Sequence, residues 1–481
     1  MPFLFTLPTT SHLSFPDYLR SDSHPSLPFE ATIHRGVLRD TLKRHKRLDR
    51  AAQSTHLPHV LAALEGYIPY LCALDQGLSA ASVAGEEVDV VLEQEVRVAW
   101  RTSLTSTLPG REPARVSLRS VEYEIFFVLS TLAYTHTLMA RVHLHALYTP
   151  TTPSAAQRRT AITAATRVLL QASSIHAYLL RRGQDATVPP PVLDLSPAVH
   201  RALAAMALAD ATLLAVLQDD PYPVVVSQSR NEHDHEWMIK APDIPRVRAH
   251  LFARLCLAAS EHASQAVATL ASTSGVDDSL RTYLAGLVKT ARGKACRFLA
   301  LDADLGGKTG EAIGWVRGGA KELGFGGVAA TAGEEDGSRR WARWRRAWDE
   351  KREDKRVERG GEWGLDGGRL EEGRVLDMLE AKWVKMNDTV NTQTIPPSTT
   401  LLARLPSGRE IHNVPPYPPP SLDADVLATM RSPLEPRARE LYDAEHGDDD
   451  DDDEADDRDG AGIPGAFPGA SIRSASGTGY Y

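Results

Sequence analysis

Apolar side chains recur every three or four residues along most of the chain, which is the spacing of amphipathic helices. The pattern predicts helices over residues 34–48, 57–78, 86–106, 116–147, 154–182, 196–218, 245–272, 276–302 and 370–385. Alanines line one face of the segment 196–218, where small side chains let neighbouring helices approach closely. No strict 34-residue repeat is present, so the pairing of helices alone predicts an all-α fold with a central, tetratricopeptide-like solenoid of helical hairpins.

The remaining segments differ in composition from the helical part. The first 30 residues are rich in Pro and Ser and predict an extended lead-in. Residues 324–373 are Gly-rich and charged and predict a variable insertion, and the Pro-rich residues 395–420 predict an extended strap. We therefore predict three regions: a helical domain at 1–410, a Pro-rich strap with one weak helix at 411–442, and a disordered acidic and Gly/Ser-rich tail at 443–481.

Charge and cysteine content exclude several classes of protein. The net charge is −9, and residues 448–459 alone hold ten acidic residues and one arginine, so the rest of the chain is neutral overall. A neutral body lacks the basic field that attracts nucleic acid, and we predict no nucleic-acid partner. The three cysteines lie far apart without a CxxC pair, which excludes a disulfide framework and suits a reducing compartment.

The sequence also bears on location. No uninterrupted apolar run reaches about 18 residues, so we expect no membrane-spanning helix. The segment MPFLFTLPTT lacks the charge and the apolar run of a signal peptide. We therefore expect a soluble cytoplasmic protein that can visit membranes through its partners.

Motifs that could support chemistry are few. The segment DADLGGKTGE (302–311) ends like a phosphate-binding loop, but Asp302 stands where the first glycine is required and no strand precedes it, so we interpret it as a turn between two helices. Residues 233–236 (HDHE) are adjacent and cannot easily surround one metal ion, which favours a polar loop. Cys72 and Cys256 lie on apolar faces and are predicted as core residues. We predict no catalytic residue, no cofactor and no metal site.

One charged segment has two open interpretations. Residues 339–359 hold ten Lys or Arg and five Asp or Glu, and Trp341, Trp344 and Trp348 share one helical face with Arg345 beside them. Tryptophan next to basic side chains can bind a membrane interface or an acidic partner, which would make the protein a membrane-surface module. A salt-bridged helix that packs its tryptophans on the domain fits the same pattern.

Five long segments carry a resemblance to a known family. They are LEGYIPYLCALDQGL (64–78), SVEYEIFFVLSTLAYTHTLMA (120–140), DLSPAVHRALAAMALADATLLAVL (194–217), RVRAHLFARLCLAASEHASQAV (246–267) and KMNDTVNTQTIPPSTTLLA (385–403). These segments resemble the Alix-type BRO domain. Their order and spacing match that domain over roughly residues 1–410. Within the family, further segments are similar to the fungal pH-response regulators of the Pal/Rim pathway: HRGVLRDTLKRHKRL (34–48), LGGKTGEAIGWVRGGAKELGFGG (305–327) and LPSGREIHNVPPYPPP (405–420).

The resemblance implies a boomerang-shaped helical domain and a non-enzymatic adaptor of ambient-pH signalling. Members of the family bind the C-terminal amphipathic helix of the main ESCRT-III filament subunit in a hydrophobic groove. The implied role is assembly, with other Pal/Rim components, of the complex that proteolytically activates a zinc-finger transcription factor. The implied location is the cytoplasm, with recruitment to the cell cortex or plasma membrane or to endosomal membranes.

The same resemblance implies the residues of the groove. On the helix at 247–259, Leu251 and Leu255 match the apolar anchors and Arg254 the basic residue beside them. The other wall, on the preceding helix, would consist of three residues: Leu214, Val216 and Leu217. Two features of the family are missing, because Ala215 replaces the usual aromatic anchor and Gln218 the usual lysine. Without the resemblance, Leu251 and Leu255 would be assigned to the domain's own core.

Overall fold

The computed structural model describes residues 2–106, 112–147, 154–184, 190–223, 244–325, 352 and 364–431. They all belong to a compact unit, Met1–Ser432, and the other unit of the chain is Pro433–Tyr481. The predicted disordered tail and most of the predicted insertion lie outside the described residues. The predicted domain boundary near residue 410 stays a prediction.

Helices make up most of the described structure, as the sequence predicts. They are α1 (Leu27–Arg47), α2 (Arg50–Leu78), α3 (Val121–His145), α4 (Ala155–Gln184), α5 (Pro197–Asp219), α6 (Arg246–Ala271), α7 (Asp278–Leu305), α8 (Thr309–Glu322), α9 (Arg369–Met386), α10 (Ser398–Leu402) and α11 (Ala424–Thr429). From α1 to α8, each helix packs against the next one along the chain. The predicted stack of helical hairpins is therefore confirmed.

Six short strands precede α3 in the described residues, and the first of them lies within the N-terminal lead-in. They are β1 (Leu19–Arg20), β2 (Ser82–Val83), β3 (Glu86–Glu87), β4 (Val91–Leu92), β5 (Arg97–Arg101) and β6 (Arg115–Arg119). They form three antiparallel pairs, β1 with β4, β2 with β3, and β5 with β6. The longest pair aligns Val98 with Leu118.

The predicted helix over 86–106 is therefore wrong. Val96, Val98 and Trp100 are buried, whereas Arg97 between them is exposed, which is the two-residue period of a strand. β-branched valine also favours strands. The helix predicted at 116–147 also begins later in the structure, at Val121, because residues up to Arg119 belong to β6.

The N-terminal lead-in is largely extended up to Ser26, after which α1 begins before the predicted limit of residue 30, and it also forms part of the core. Phe3, Phe5 and Phe15 are buried. The ring of Phe5 stacks on Tyr134 of α3 with 4.3 Å between centroids. Each buried Phe contributes roughly 1.5–3 kcal/mol, so these residues fix the lead-in against the helices.

Within the described residues, three helices are long and apolar enough to cross a membrane by length and composition alone: α2, α3 and α5. Of their most apolar windows, 50%, 89% and 61% respectively is buried inside the fold. We expected no such helix because no uninterrupted apolar run is long enough. That criterion misses these three helices, whose apolar residues are interrupted by polar ones. In this fold their apolar side chains contribute to the core between helices.

A buried ion pair joins the first helices to the strands. Arg35 of α1 donates from Nε to Glu124 of α3 at 2.8 Å, and both side chains are almost fully buried. Glu124 also accepts hydrogen bonds from Trp100 Nε1 at 2.6 Å and Tyr67 Oη at 3.2 Å. A second bond from Arg35 reaches Thr10 Oγ1 in the lead-in at 2.6 Å. One carboxylate thus holds α1, α2, α3 and β5 together.

Replacing Glu124 by Gln should therefore destabilise the fold, because it leaves the Arg35 charge buried without its partner. We expect the free energy of unfolding to fall by about 3 kcal/mol or more, measured by urea titration. The control is Glu95→Gln, whose pair with Arg119 is exposed and 3.6 Å long, and which should change stability by less than about 1 kcal/mol. Equal effects of the two changes would contradict the role assigned to Glu124.

Candidate partner-binding site

The predicted α5 wall divides between two clusters of the core. Leu214 is buried and Leu217 half-buried, and both pack against residues of α3 and α4. Val216 is buried in a different cluster, formed with α6, α7, α8 and α9. Only Leu217 of the three therefore offers substantial apolar surface to a partner.

The predicted α6 wall is partly internal. Leu255 is 3% exposed and belongs to the same cluster as Val216. Leu251 is half-buried at the edge of that cluster. One turn earlier, Val247 is 84% exposed and lies on the face of Leu251, since the two are four residues apart. Sequence reasoning did not select Val247, although its spacing from Leu251 was the available signal.

The six predicted groove residues do not form one continuous open surface. Leu251, Leu255 and Val216 share a cluster, and Leu214 and Leu217 share another. The accessible apolar area of this region comes from Leu217 on α5 and from Val247 and Leu251 on α6. Their assignment to a partner groove stays a prediction.

Arg254, the predicted basic residue of the groove, bonds to the chain that follows α10. Its Nε donates to the carbonyl oxygen of Ser407 at 3.1 Å. The amide of Arg409 donates to the carbonyl oxygen of Arg254 at 3.1 Å. The predicted Pro-rich strap therefore crosses α6 at the candidate site, after the short helix α10 that interrupts it.

A cavity of about 50 Å³ lies beside the end of α5. Leucines form one side of it, including Leu214 and Leu217. Asp210 of α5 and Thr290 and Lys294 of α7 form the polar side. The α5 residues predicted for the groove therefore border a space that α6 does not line.

Asp210 is a strongly perturbed carboxylate in this cavity. Tyr283 Oη donates to its Oδ1 at 2.7 Å, and its Oδ2 has no hydrogen-bond partner among the described residues. Burial raises the pKa of Asp210 to about 6, against the lowering effect of that hydrogen bond. The fold therefore opposes the ionised form of this side chain.

The polar end of the cavity continues into a buried ionic network. Arg297 of α7 donates to Asp220, which follows α5, at 2.5 Å and to Glu372 of α9 at 2.6 Å. Lys294 Nζ donates to the same Glu372 at 2.6 Å. Burial lowers the pKa of Arg297, but the two carboxylates raise it above its ordinary value, so the guanidinium stays charged.

The described residues hold neither a cluster of potential metal ligands nor an exposed thiol. They contain no cluster of three or more His, Cys, Asp or Glu side chains that could hold a metal ion. Cys72 and Cys256 are buried free thiols, as predicted for core residues, and burial raises the pKa of each to about 12. A thiol that stays protonated is a poor nucleophile.

The segment DADLGGKTGE is the predicted turn between two helices. α7 ends at Leu305 and α8 begins at Thr309. Gly307 lies between them with φ of 73°, a conformation that glycine adopts readily.

Two sets of predicted residues lie outside the part of the chain that the structure describes. They are residues 233–236 and the tryptophan-rich set of Trp341, Trp344, Arg345 and Trp348. The polar-loop and membrane-contact interpretations of these segments stay predictions.

Comparison with known structures identifies the class of fold, and comparison with known sequences identifies the family. No family model matches the chain. The fold is similar to the BRO1 domain of ALIX in its complex with CHMP4C, with a TM-score of 0.51 at 14% identity over 86% of this chain and 95% of that one. ALIX in complex with the SIVmac239 PYKEVTEDL late domain gives a TM-score of 0.56 at 14% identity over 92% of this chain and 53% of that one. The described architecture is therefore of the BRO1 class.

Sequence similarity specifies the family within that class. The pH-response regulator protein palC of Emericella nidulans is 44% identical over 98% of this chain and 99% of its own length. The pH-response regulator protein palC of Cryptococcus neoformans var. neoformans is 27% identical over 87% of this chain and 92% of its own length. This chain belongs to the palC family of pH-response regulators.

The environment of Asp210 predicts a specific pH dependence of stability. Its pKa is about 6 in the folded protein, against an ordinary value of 3.8, so the folded state binds the proton more tightly than the unfolded state does. The stabilisation is fully present below about pH 4 and is lost as the pH rises through about 6. Relative to Asp210→Asn, the wild type should therefore lose roughly 2–3 kcal/mol of unfolding free energy between pH 4 and pH 7.

Urea titrations of both proteins across this pH range measure the difference directly. Any constant effect of the amide cancels, because only the change of the difference with pH is compared. A difference that does not change with pH would show that Asp210 titrates as an exposed carboxyl does.

Proposed function

We propose that this protein is a non-enzymatic adaptor of ambient-pH signalling that binds the C-terminal amphipathic helix of the main ESCRT-III filament subunit. The observation that carries the proposal is the BRO1-type fold. This chain shares it, over 86% of its length, with the BRO1 domain of ALIX in the complex of that domain with CHMP4C. Membership of the palC family supports the assignment to pH signalling. The buried, protonated thiols support a role other than catalysis.

The accessible apolar residues fit a helical partner. An amphipathic helix places apolar side chains at i, i+3, i+4 and i+7 into a groove. Val247 and Leu251 present two adjacent apolar positions along α6, and Leu217 presents one on the neighbouring α5. Two or three such anchors contribute about 1.5–3 kcal/mol each and, after the costs of association, give roughly micromolar affinity.

The remaining predicted residues take supporting roles in this proposal. Leu214, Val216 and Leu255 are buried and hold α5 and α6 in place beneath the contact surface. Arg254 supplies a positive charge at the edge of the site. Ala215 gives the groove a lower wall than an aromatic side chain would, because its side chain is smaller. The groove is therefore shallower at this position.

The proposed biological role follows from the partner and the family. By binding ESCRT-III, the protein would bring pH-signalling components together where the activating protease cleaves its zinc-finger transcription factor. The proposed location is the cytoplasm, with recruitment to the cell cortex or to endosomal membranes. If ESCRT-III recruits the protein, the protein needs no direct contact with the membrane. In the alternative function, that of a membrane-surface module, residues 339–359 would make such a contact.

Leu251→Asp should weaken binding at least tenfold, because a charge replaces an apolar anchor at the contact surface. Fluorescence anisotropy of a labelled peptide of the ESCRT-III subunit's C-terminal helix, titrated with the full chain, measures the affinity. Circular dichroism should keep its helical signal, because Leu251 is only half-buried.

Val390→Asp is the matched control, since Val390 is 73% exposed and lies after α9, away from α5 and α6. It should bind the peptide like the wild type. Leu255→Asp cannot serve as the test, because Leu255 is buried and its replacement should unfold the region. Unchanged binding by Leu251→Asp would exclude the α6 face as the site.

A further inference from the structure

Residues 403–412, which we call the crossing segment, cover the part of α6 that follows Leu251. The crossing segment exchanges two hydrogen bonds with Arg254, one from the Arg254 side chain to Ser407 and one from the Arg409 amide to the Arg254 carbonyl oxygen, both 3.1 Å long. The amide of Gly408 donates to Glu261 Oε1 at 3.3 Å. Three hydrogen bonds, together with a 3.9 Å contact between His262 Nε2 and Glu410 Oε1, thus hold the crossing segment against two turns of α6.

Gly408 allows an unusually close approach. A Cβ atom added there would lie 2.7 Å from the backbone nitrogen of Ala258 and 2.8 Å from its Cα. Both are backbone atoms of a helix, which cannot move aside as a flexible side chain can. Any side chain at position 408 must therefore lift the crossing segment away from α6.

The chain is fixed firmly on both sides of the crossing segment. Leu401 is buried before it, and Leu422 and Met430 are buried after it. Between these anchors most residues are exposed, and Ile411 is 52% exposed. The crossing segment is therefore held mainly by its contacts with α6 and by the partial burial of Leu405 against the neighbouring core cluster. With so few contacts it can detach while its ends stay in place.

We propose that the crossing segment is an autoinhibitory element that competes with the partner helix for the face of α6. This inference rests on the proposed function. A helix is about 10 Å wide with its side chains, so it cannot lie along α6 from Val247 past Arg254 while the crossing segment occupies the second half of that path. The bond from Arg254 Nε to Ser407 also turns one of the five donors of this guanidinium toward the crossing segment and away from a partner.

The closed arrangement lowers the apparent affinity in proportion to the fraction of molecules in which the crossing segment has detached. A partner helix shifts this equilibrium only through its own better contact with the open form. The short exposed stretch of Val247 and Leu251 remains available for the first contact.

The test is Gly408→Val in the full chain, compared with wild type and with Gly66→Ala. Gly408 does not have positive φ, so valine disturbs the contact with α6 and not the backbone conformation. Gly66 is the control, because a Cβ there meets only the His34 ring, at 3.6 Å. Hydrogen exchange of the Gly408 region reports detachment, and titration of the labelled ESCRT-III C-terminal helix peptide reports affinity.

We expect faster exchange around Gly408 and about tenfold or greater tightening of peptide binding in Gly408→Val, with no change in Gly66→Ala. Glu261→Ala removes the acceptor of the Gly408 amide and should act in the same direction, less strongly. A synthetic peptide of residues 403–412 should compete with the labelled helix for Gly408→Val.

The other outcomes separate the two proposals. Faster exchange with unchanged affinity overturns the inhibition and leaves the proposed binding intact. Weaker binding by Gly408→Val also overturns it, because the crossing segment would then be part of the receptor surface. Detachment without binding by any of the proteins overturns both proposals, and unchanged exchange in Gly408→Val overturns the claim that Gly408 holds the segment in place.

Discussion

The buried guanidinium of Arg297 determines where the candidate site lies. It binds Asp220 at the end of α5 and Glu372 on α9, and it is itself carried by α7. A buried charge without its partners costs several kcal/mol. Separating α5, α7 and α9 would therefore cost far more free energy than the loss of one ordinary contact. The end of α5, with Leu217 and the cavity beside it, is therefore fixed relative to α7. The network of Arg35 and Glu124 does the same for the first helices.

Most helices could be predicted from the sequence, and the wrong prediction of a helix over 86–106 has a physical cause. The 3.6-residue period identifies α4 to α7 within one to three residues at each end, because each has a continuous apolar face. Residues 86–106 contain enough valine and leucine to match a helical template, yet Val96, Val98 and Trp100 alternate with less buried neighbours. The competing two-residue period is the correct one there. Short strands give this weaker signal because only a few residues repeat it.

The candidate site was less predictable than the fold. The four-residue spacing of Leu251 and Leu255 shows that they share a face of α6, but not whether that face is covered. Leu255 is buried because α7, α8 and α9 pack over it, and contacts so distant in sequence leave no local pattern. The same limit applies to Asp220, Arg297 and Glu372, which are separated by about 75 residues at each step. The Pro-rich composition predicted an extended strap, whereas its position on Arg254 depends on the three-dimensional path.

An adaptor must expose apolar surface to bind a helix and yet remain folded and dispersed, and the arrangement of this site reconciles the two. Its accessible apolar side chains are Val247 and Leu251 on α6 and Leu217 on α5, and three such side chains stay below the size of patch that drives aggregation. Such a surface gives only weak binding to one helix. For the filament partner proposed above, weak binding is sufficient, because a polymer repeats the same helix and raises its local concentration. The protein then dissociates quickly from a single subunit, and it is retained only where the subunits have assembled into a filament. A deeper, permanently open groove would bind unassembled subunits as well and would lose that discrimination.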